Sequence, residues 1–136
     1  VSNSLKTEGR FVGTCLNGER VFEALRGKTE ISSDQTNCWK ITKKYKQSKF
    51  SVGEEYLGME IDVYNESISA TFTEYLVNMD FLDMLCEKYN LRRLVNTSFE
   101  NIYSEIGAKG YGKSKQMDSD LKEYSFMNNA FVYVKF

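Results

Sequence analysis

The sequence predicts a mixed α/β fold, and three periodicities carry that prediction. Phe11-Val12-Gly13-Thr14-Cys15-Leu16 and Ala130-Phe131-Val132-Tyr133-Val134 are short, nearly continuous apolar runs. Such runs suit strands covered on both faces, as in a parallel sheet. Between residues 37 and 72 apolar and polar residues alternate: Trp39 and Ile41; Leu57, Met59, Ile61 and Val63; Ile68, Ala70 and Phe72. Period two means strands with one wet face, so antiparallel pairing is expected there. From Glu74 the period lengthens, with Tyr75, Met79, Leu82, Cys86 and Tyr89 at steps of four and three on one helical stripe.

The remaining elements follow in order. Val1 to Lys6 reads as the end of a helix, stopped by Gly9. Together with the absence of an initiator Met, this suggests a fragment of a longer chain. Asn17 can cap a helix over Gly18 to Arg26 with Val21, Phe22 and Leu25 on its inner side, and Gly27 ends it. Asn90 stops the long helix. Leu91 to Val95 is a short strand, Thr97 or Ser98 caps a helix through Tyr103, and Ser119 to Phe126 is helical again.

Bulk composition narrows the chemistry. The 136 residues fit one ordinary domain, and 41% hydrophobic content supports a core. A net charge of −1 supplies no global field for nucleic acid or membrane, so any RNA contact is local. The absence of histidine removes the commonest general base and most zinc sites. Cys15, Cys38 and Cys86 are widely spaced and odd in number, and read as reduced thiols in a cytosol-like compartment. No signal peptide and no membrane-length apolar run is present in the sequence.

Three stretches offer themselves as sites. Gly107-Ala108-Lys109-Gly110-Tyr111-Gly112-Lys113-Ser114 fits the phosphate-binding pattern G-x-x-x-x-G-K-[ST]. That pattern needs a buried strand leading in, and here a helical segment precedes it, so a basic loop is the reading adopted. Lys109, Lys113 and Lys115 could still touch an RNA backbone. Lys40, Lys43, Lys44, Lys46 and Lys49 interleave with Trp39, Tyr45 and Phe50, which suits either a nucleic-acid surface or a solvated hairpin. Glu74 stands where strand period changes to helix period. It is either an acidic residue favoured by a helix dipole or a ligand-facing carboxylate at the C-terminal rim of a sheet. The residues alone leave both open.

Thr73-Glu74-Tyr75-Leu76-Val77 is followed by an aliphatic helix ending Glu87-Lys88-Tyr89-Asn90-Leu91, and then by Ser98-Phe99-Glu100-Asn101-Ile102-Tyr103. With Gly9-Arg10-Phe11-Val12-Gly13-Thr14 leading into Asn17, and the closing Ala130-Phe131-Val132-Tyr133-Val134-Lys135, this ordered set resembles the mRNA cap guanine-N7 methyltransferase family. The resemblance covers nearly the whole chain. It implies the C-terminal part of a class I (Rossmann-like), S-adenosylmethionine-dependent methyltransferase fold with an antiparallel β insertion. It implies that residues 1–136 are one portion of that domain, inactive in isolation, with the glycine-rich donor loop in a missing N-terminal half. The expected partners are capped RNA, that missing half and a stimulatory subunit, with no membrane. The expected location is cytoplasm or nucleus, or the virion if the source is viral.

The same resemblance implies site residues. Glu74 matches the family's guanine-reading glutamate, with Tyr75 beside it. Leu16 stands where the family has a proline near the cap, and Thr73 where it often has another. Asn128, seven residues before Lys135, aligns with a tyrosine that lies against the guanine. Asparagine cannot stack as a ring does, and Phe126 is the nearest aromatic replacement. RNA-backbone contact falls to Lys43, Lys44, Lys109 and Lys113. Two other readings remain: an inactive methyltransferase-like subunit that stimulates a partner, and an unrelated RNA-binding α/β module.

Overall fold

A computed structural model describes residues 1–108 and 117–136. Among the described residues seven strands and four helices follow in the order β1 (Arg10–Leu16), α1 (Gly18–Ala24), β2 (Glu30–Ser32), β3 (Trp39–Lys43), β4 (Glu60–Asn65), β5 (Ala70–Tyr75), α2 (Met79–Lys88), β6 (Leu91–Ser98), α3 (Phe99–Ala108), α4 (Ser119–Phe126) and β7 (Asn128–Lys135). They form two sheets. The first has the order β1-β7-β6, with β7 antiparallel to both neighbours. β1 and β6 therefore run the same way and end at one rim, where β7 begins. The second sheet is an antiparallel meander, β2-β3-β4-β5. It is the insertion expected from the period-two stretch.

Strand alternation decides what the meander buries. Trp39, Ile41, Ile61 and Val63 point inward and are at most 3% exposed. They pack with Leu16, Val21, Phe22 and Leu25 into one core. Burying side chains of this size contributes roughly 1.5–3 kcal/mol each before entropy is counted. A second cluster joins α2 to the first sheet through Met79, Cys86, Leu91, Phe131 and Tyr133. The Tyr133 hydroxyl donates to Asp83 at 2.6 Å, linking β7 to α2.

Several expectations hold. Asn17 caps α1, its side-chain oxygen accepting from the amides of Glu19 and Arg20 at 3.1 and 3.3 Å. Gly27 follows with φ +70°. Ser98 caps α3, its hydroxyl oxygen accepting from Asn101 N–H at 3.1 Å. All three cysteines are free thiols. No helix among the described residues is long and apolar enough to cross a membrane.

Other expectations change. The helix does not start at Glu74: β5 continues through Tyr75, and α2 begins at Met79 under an Asn78 cap. Residues 74 and 75 instead pair with Ile61 and Glu60 of β4. Glu74 therefore lies outside any first helical turn, and the helix-dipole reading falls. β1 is not a parallel strand buried on both faces, since it pairs antiparallel with β7 and leaves Val12 66% exposed. Ile68 lies in a 3-10 turn rather than a strand, and Leu57 precedes β4. The N-terminal helical scrap is a 3-10 turn at Ser2–Ser4. α3 runs on to Ala108, so Gly107 of the phosphate-loop pattern is helical, and residues 109–116 lie outside the described residues.

Gly18 is where α1 meets the rest. A Cβ there would lie 2.5 Å from the Val77 carbonyl oxygen and 2.7 Å from the Phe50 ring. Gly18→Ala is expected to lower unfolding free energy by about 1–3 kcal/mol, the usual cost of overpacking, as read from urea denaturation.

Candidate functional site

The rim where β1 and β6 end collects the chain's convergent polar groups. Two consecutive peptides organise it. Asn17 N–H donates to the Met127 carbonyl at 2.8 Å, and Gly18 N–H donates to the Val77 carbonyl at 2.9 Å. The end of α4 and the β5–α2 connection are thereby fixed on either side of the β1 terminus. Asn17 also reaches Asn129 at 3.4 Å, and Asn129 donates onward to Asn96 at 2.8 Å. Buried Asn78 accepts from Phe81 N–H through its side-chain oxygen, while its side-chain nitrogen has no partner among the described residues.

Register places Glu74. Its cross-strand partner is Ile61, which is fully buried on the inner face of the meander. Directly opposed residues share a face, so Glu74 also points to the inner side, from an edge strand that overhangs the β1 terminus. The residue is largely exposed, yet its carboxyl is backed by enough protein that burial raises its pKa. Its charge is felt nearby. Burial raises the Cys15 and Tyr124 pKa values, and the Glu74 carboxylate raises both further. Among the described residues the Glu74 carboxylate makes no hydrogen bond or ion pair.

The other predicted residues divide. Leu16 is buried at the rim and is the register partner of Asn128, so the structure brings these two together. The Asn128 side-chain nitrogen is committed to the end of α4, donating to the carbonyls of Tyr124 and Ser125 at 3.1 and 3.3 Å. Tyr75 points the opposite way: it pairs with Glu60 on the outer face and is 56% exposed. Period-two alternation separates it from Glu74. The basic hairpin loses its aromatic half, because Trp39 and Tyr45 are 2% and 7% exposed and unavailable for base stacking. Lys43 lies over the Tyr45 ring at 4.8 Å, and Lys44 pairs with Asp62 at 3.0 Å. Lys109 and Lys113 lie outside the described residues. Phe126 packs against Tyr103 at 5.5 Å.

Sequence reasoning missed Tyr124 and Asp120. Tyr124 lies tilted against Trp39 at 5.7 Å and is the aromatic that senses Glu74. No local pattern could announce a neighbour fifty residues away. Asp120 is 4% exposed and holds the meander to α4. Its carboxylate accepts from the amides of Gln35 and Thr36 and from the Thr36 hydroxyl, at 2.9–3.1 Å, and its carbonyl accepts from Trp39 Nε1 at 2.7 Å.

Two apolar grooves lie elsewhere. A groove of about 340 Å³ runs between Phe11, Leu82, Cys86 and Tyr89, and an apolar one of about 240 Å³ between α3 and α4. Neither brings polar groups together as the rim does. Among the described residues no group of His, Cys, Asp or Glu could hold a metal ion.

The two antiparallel sheets and four helices make a mixed α/β architecture, consistent with a fragment of a methyltransferase domain. Residues 1–129 match the family model of the mRNA (guanine-N(7))-methyltransferase domain, and the chain belongs to that family. A probable mRNA-capping enzyme of Acanthamoeba polyphaga mimivirus is 33% identical over 139 residues. That alignment covers 92% of this chain and 12% of the relative, so the chain spans about one-eighth of the relative's length. The family implies S-adenosylmethionine as methyl donor. The described residues do not fit its glycine-rich loop: the turn after β1 holds a single glycine, Gly18, closed off by Val77 and Phe50.

Asp120 also gives a pH signature. Burial alone would raise its pKa, but bonds from Thr36 and from the amides of Gln35, Thr36 and Asp34 outweigh it, and the carboxyl titrates below the usual range. A depressed pKa stabilises the fold above the unfolded-state value, about 3.9, and the stabilisation is lost as pH falls through the folded value. Asp120→Asn is therefore expected to lower Tm near pH 7 and to flatten its decline below about pH 4, as measured by thermal melts across pH.

Proposed function

We propose that this chain is the C-terminal portion of a cap methyltransferase domain and supplies one wall of the pocket that receives the cap guanine. The full enzyme transfers a methyl group from S-adenosylmethionine to guanine N7, and the donor-binding half lies outside these residues. The observation that carries the reading is the inward-facing Glu74 carboxylate, which makes no hydrogen bond or ion pair among the described residues.

The chemistry suits guanine. Its N1–H and exocyclic amine are adjacent donors, and an ionised carboxylate accepts from both. Hydrogen bonds to a charged group contribute about 1.5–3 kcal/mol each. The carboxylate also stabilises the positive charge that the ring gains as N7 is methylated. N7 carries a free lone pair, so no general base is required, and the absence of histidine here is no obstacle. This chain's part is alignment and electrostatics. Leu16 gives apolar contact at the pocket floor, and Lys43 and Lys44 approach the RNA backbone from the meander.

Glu74→Gln in the full enzyme is expected to cut kcat/KM for cap methylation at least tenfold with an unchanged melting temperature. That loss corresponds to about 1.4 kcal/mol of transition-state stabilisation. Unaltered kinetics would remove Glu74 from the site.

A further inference from the structure

We propose that Arg26 and Lys43 seat a phosphate of the cap's 5′–5′ bridge in a cavity beside Tyr45. The inference rests on the cap reading above and gives the polyphosphate of that ligand a site of its own.

The cavity has a volume of about 250 Å³ and lies just past the ends of α1 and β3, with Phe22, Arg26, Lys43, Tyr45, Gln47 and Ser48 in its lining. The Phe22 and Tyr45 rings stack at 5.7 Å. The Arg26 guanidinium lies over the Phe22 ring at 5.7 Å, and the Lys43 ammonium over the Tyr45 ring at 4.8 Å. Two neighbouring rings thus hold two cations beside one cavity.

Donors outnumber acceptors there. No acidic side chain is in the lining. Glu23 accepts from Nε and one Nη of Arg26 and leaves the other Nη free to donate. Lys43 joins no ion pair among the described residues. The Gln47 side-chain oxygen accepts from Lys46 N–H at 3.0 Å, so its amide nitrogen remains a donor. Tyr45 is 7% exposed, and its hydroxyl has no hydrogen-bond partner among the described residues. Like charges held close together repel, and an anion with several oxygens relieves that repulsion while accepting from the spare donors.

Register sets the distance to Glu74. Lys43 is the cross-strand partner of Ile61, and Ile61 is that of Glu74. The three stand in one row across β3, β4 and β5 and share the inner face of the meander. Two interstrand steps separate Lys43 from Glu74, about 10 Å. A nucleotide spans a distance of that order from the edge of its base to its 5′-phosphates. A guanine held by Glu74 therefore brings its bridge to the cation pair.

The test is calorimetric titration of the full enzyme and its Lys43→Gln and Arg26→Gln variants with guanosine and with the dinucleotide cap analogue that carries the triphosphate bridge. Each variant is expected to bind the cap analogue about 3- to 10-fold more weakly at low salt, with the loss shrinking as salt rises. Guanosine has no phosphate and is expected to bind all three proteins equally. Unchanged affinity for the cap analogue, or an equal loss with guanosine, would overturn the inference. Glu74→Gln run in parallel separates the readings. If it alone weakens binding, the phosphate site falls and the cap reading stands. If it changes neither ligand while Lys43→Gln weakens the cap analogue, the guanine reading falls and the phosphate site stands.

Discussion

Two consecutive backbone amides, those of Asn17 and Gly18, hold the architecture together. One donates to the carbonyl after α4 and the other to the carbonyl between β5 and α2. Each bond alone contributes about 0.5–1.5 kcal/mol net. Their importance is geometric. They sit where β1 stops, at the turn where Asn17 also caps α1. They therefore fix three otherwise separate parts relative to one another: the first sheet, the meander and α4. Gly18 allows this because only a residue without a side chain lets Val77 and Phe50 approach so closely.

Everything proposed for the rim depends on that junction. Glu74 lies at the open edge of the meander, where its strand has no further neighbour. Because Ile61 opposite it faces inward, Glu74 must face inward as well. On an edge strand the residue stays largely exposed, while burial of part of the carboxyl raises its pKa. The Asp120 bonds hold α4 to the meander.

Much of this was legible in the sequence, for physical reasons. β4 and β7 carry strong alternation or apolar continuity, and α1 carries its cap residue in plain view. The β5–α2 boundary was misplaced because Tyr75 satisfies both periods: it precedes Met79 by one helical turn, yet it also continues the alternation of β5. That single ambiguity put Glu74 in a helix and set Tyr75 beside it, when the strand sends the two to opposite faces. The lysine-rich hairpin left a nucleic-acid surface open beside a solvated hairpin because composition does not say which aromatics face the core; Trp39 and Tyr45 do. Tyr124 and Asp120 were invisible, since their roles come from contacts 50 to 85 positions away in the chain. The family resemblance singled out Glu74, and the register shows which face of the meander it takes.

The central claim is that Glu74 accepts hydrogen bonds from the guanine edge. Calorimetric titration of the full enzyme and its Glu74→Gln variant with guanosine and inosine cap analogues tests it most directly, because inosine lacks only the exocyclic amine. The account predicts that the wild type binds the guanosine analogue about tenfold or more tightly than the inosine analogue, and that the variant largely loses this preference, giving a coupling energy above about 1 kcal/mol. Equal discrimination by both proteins would contradict it.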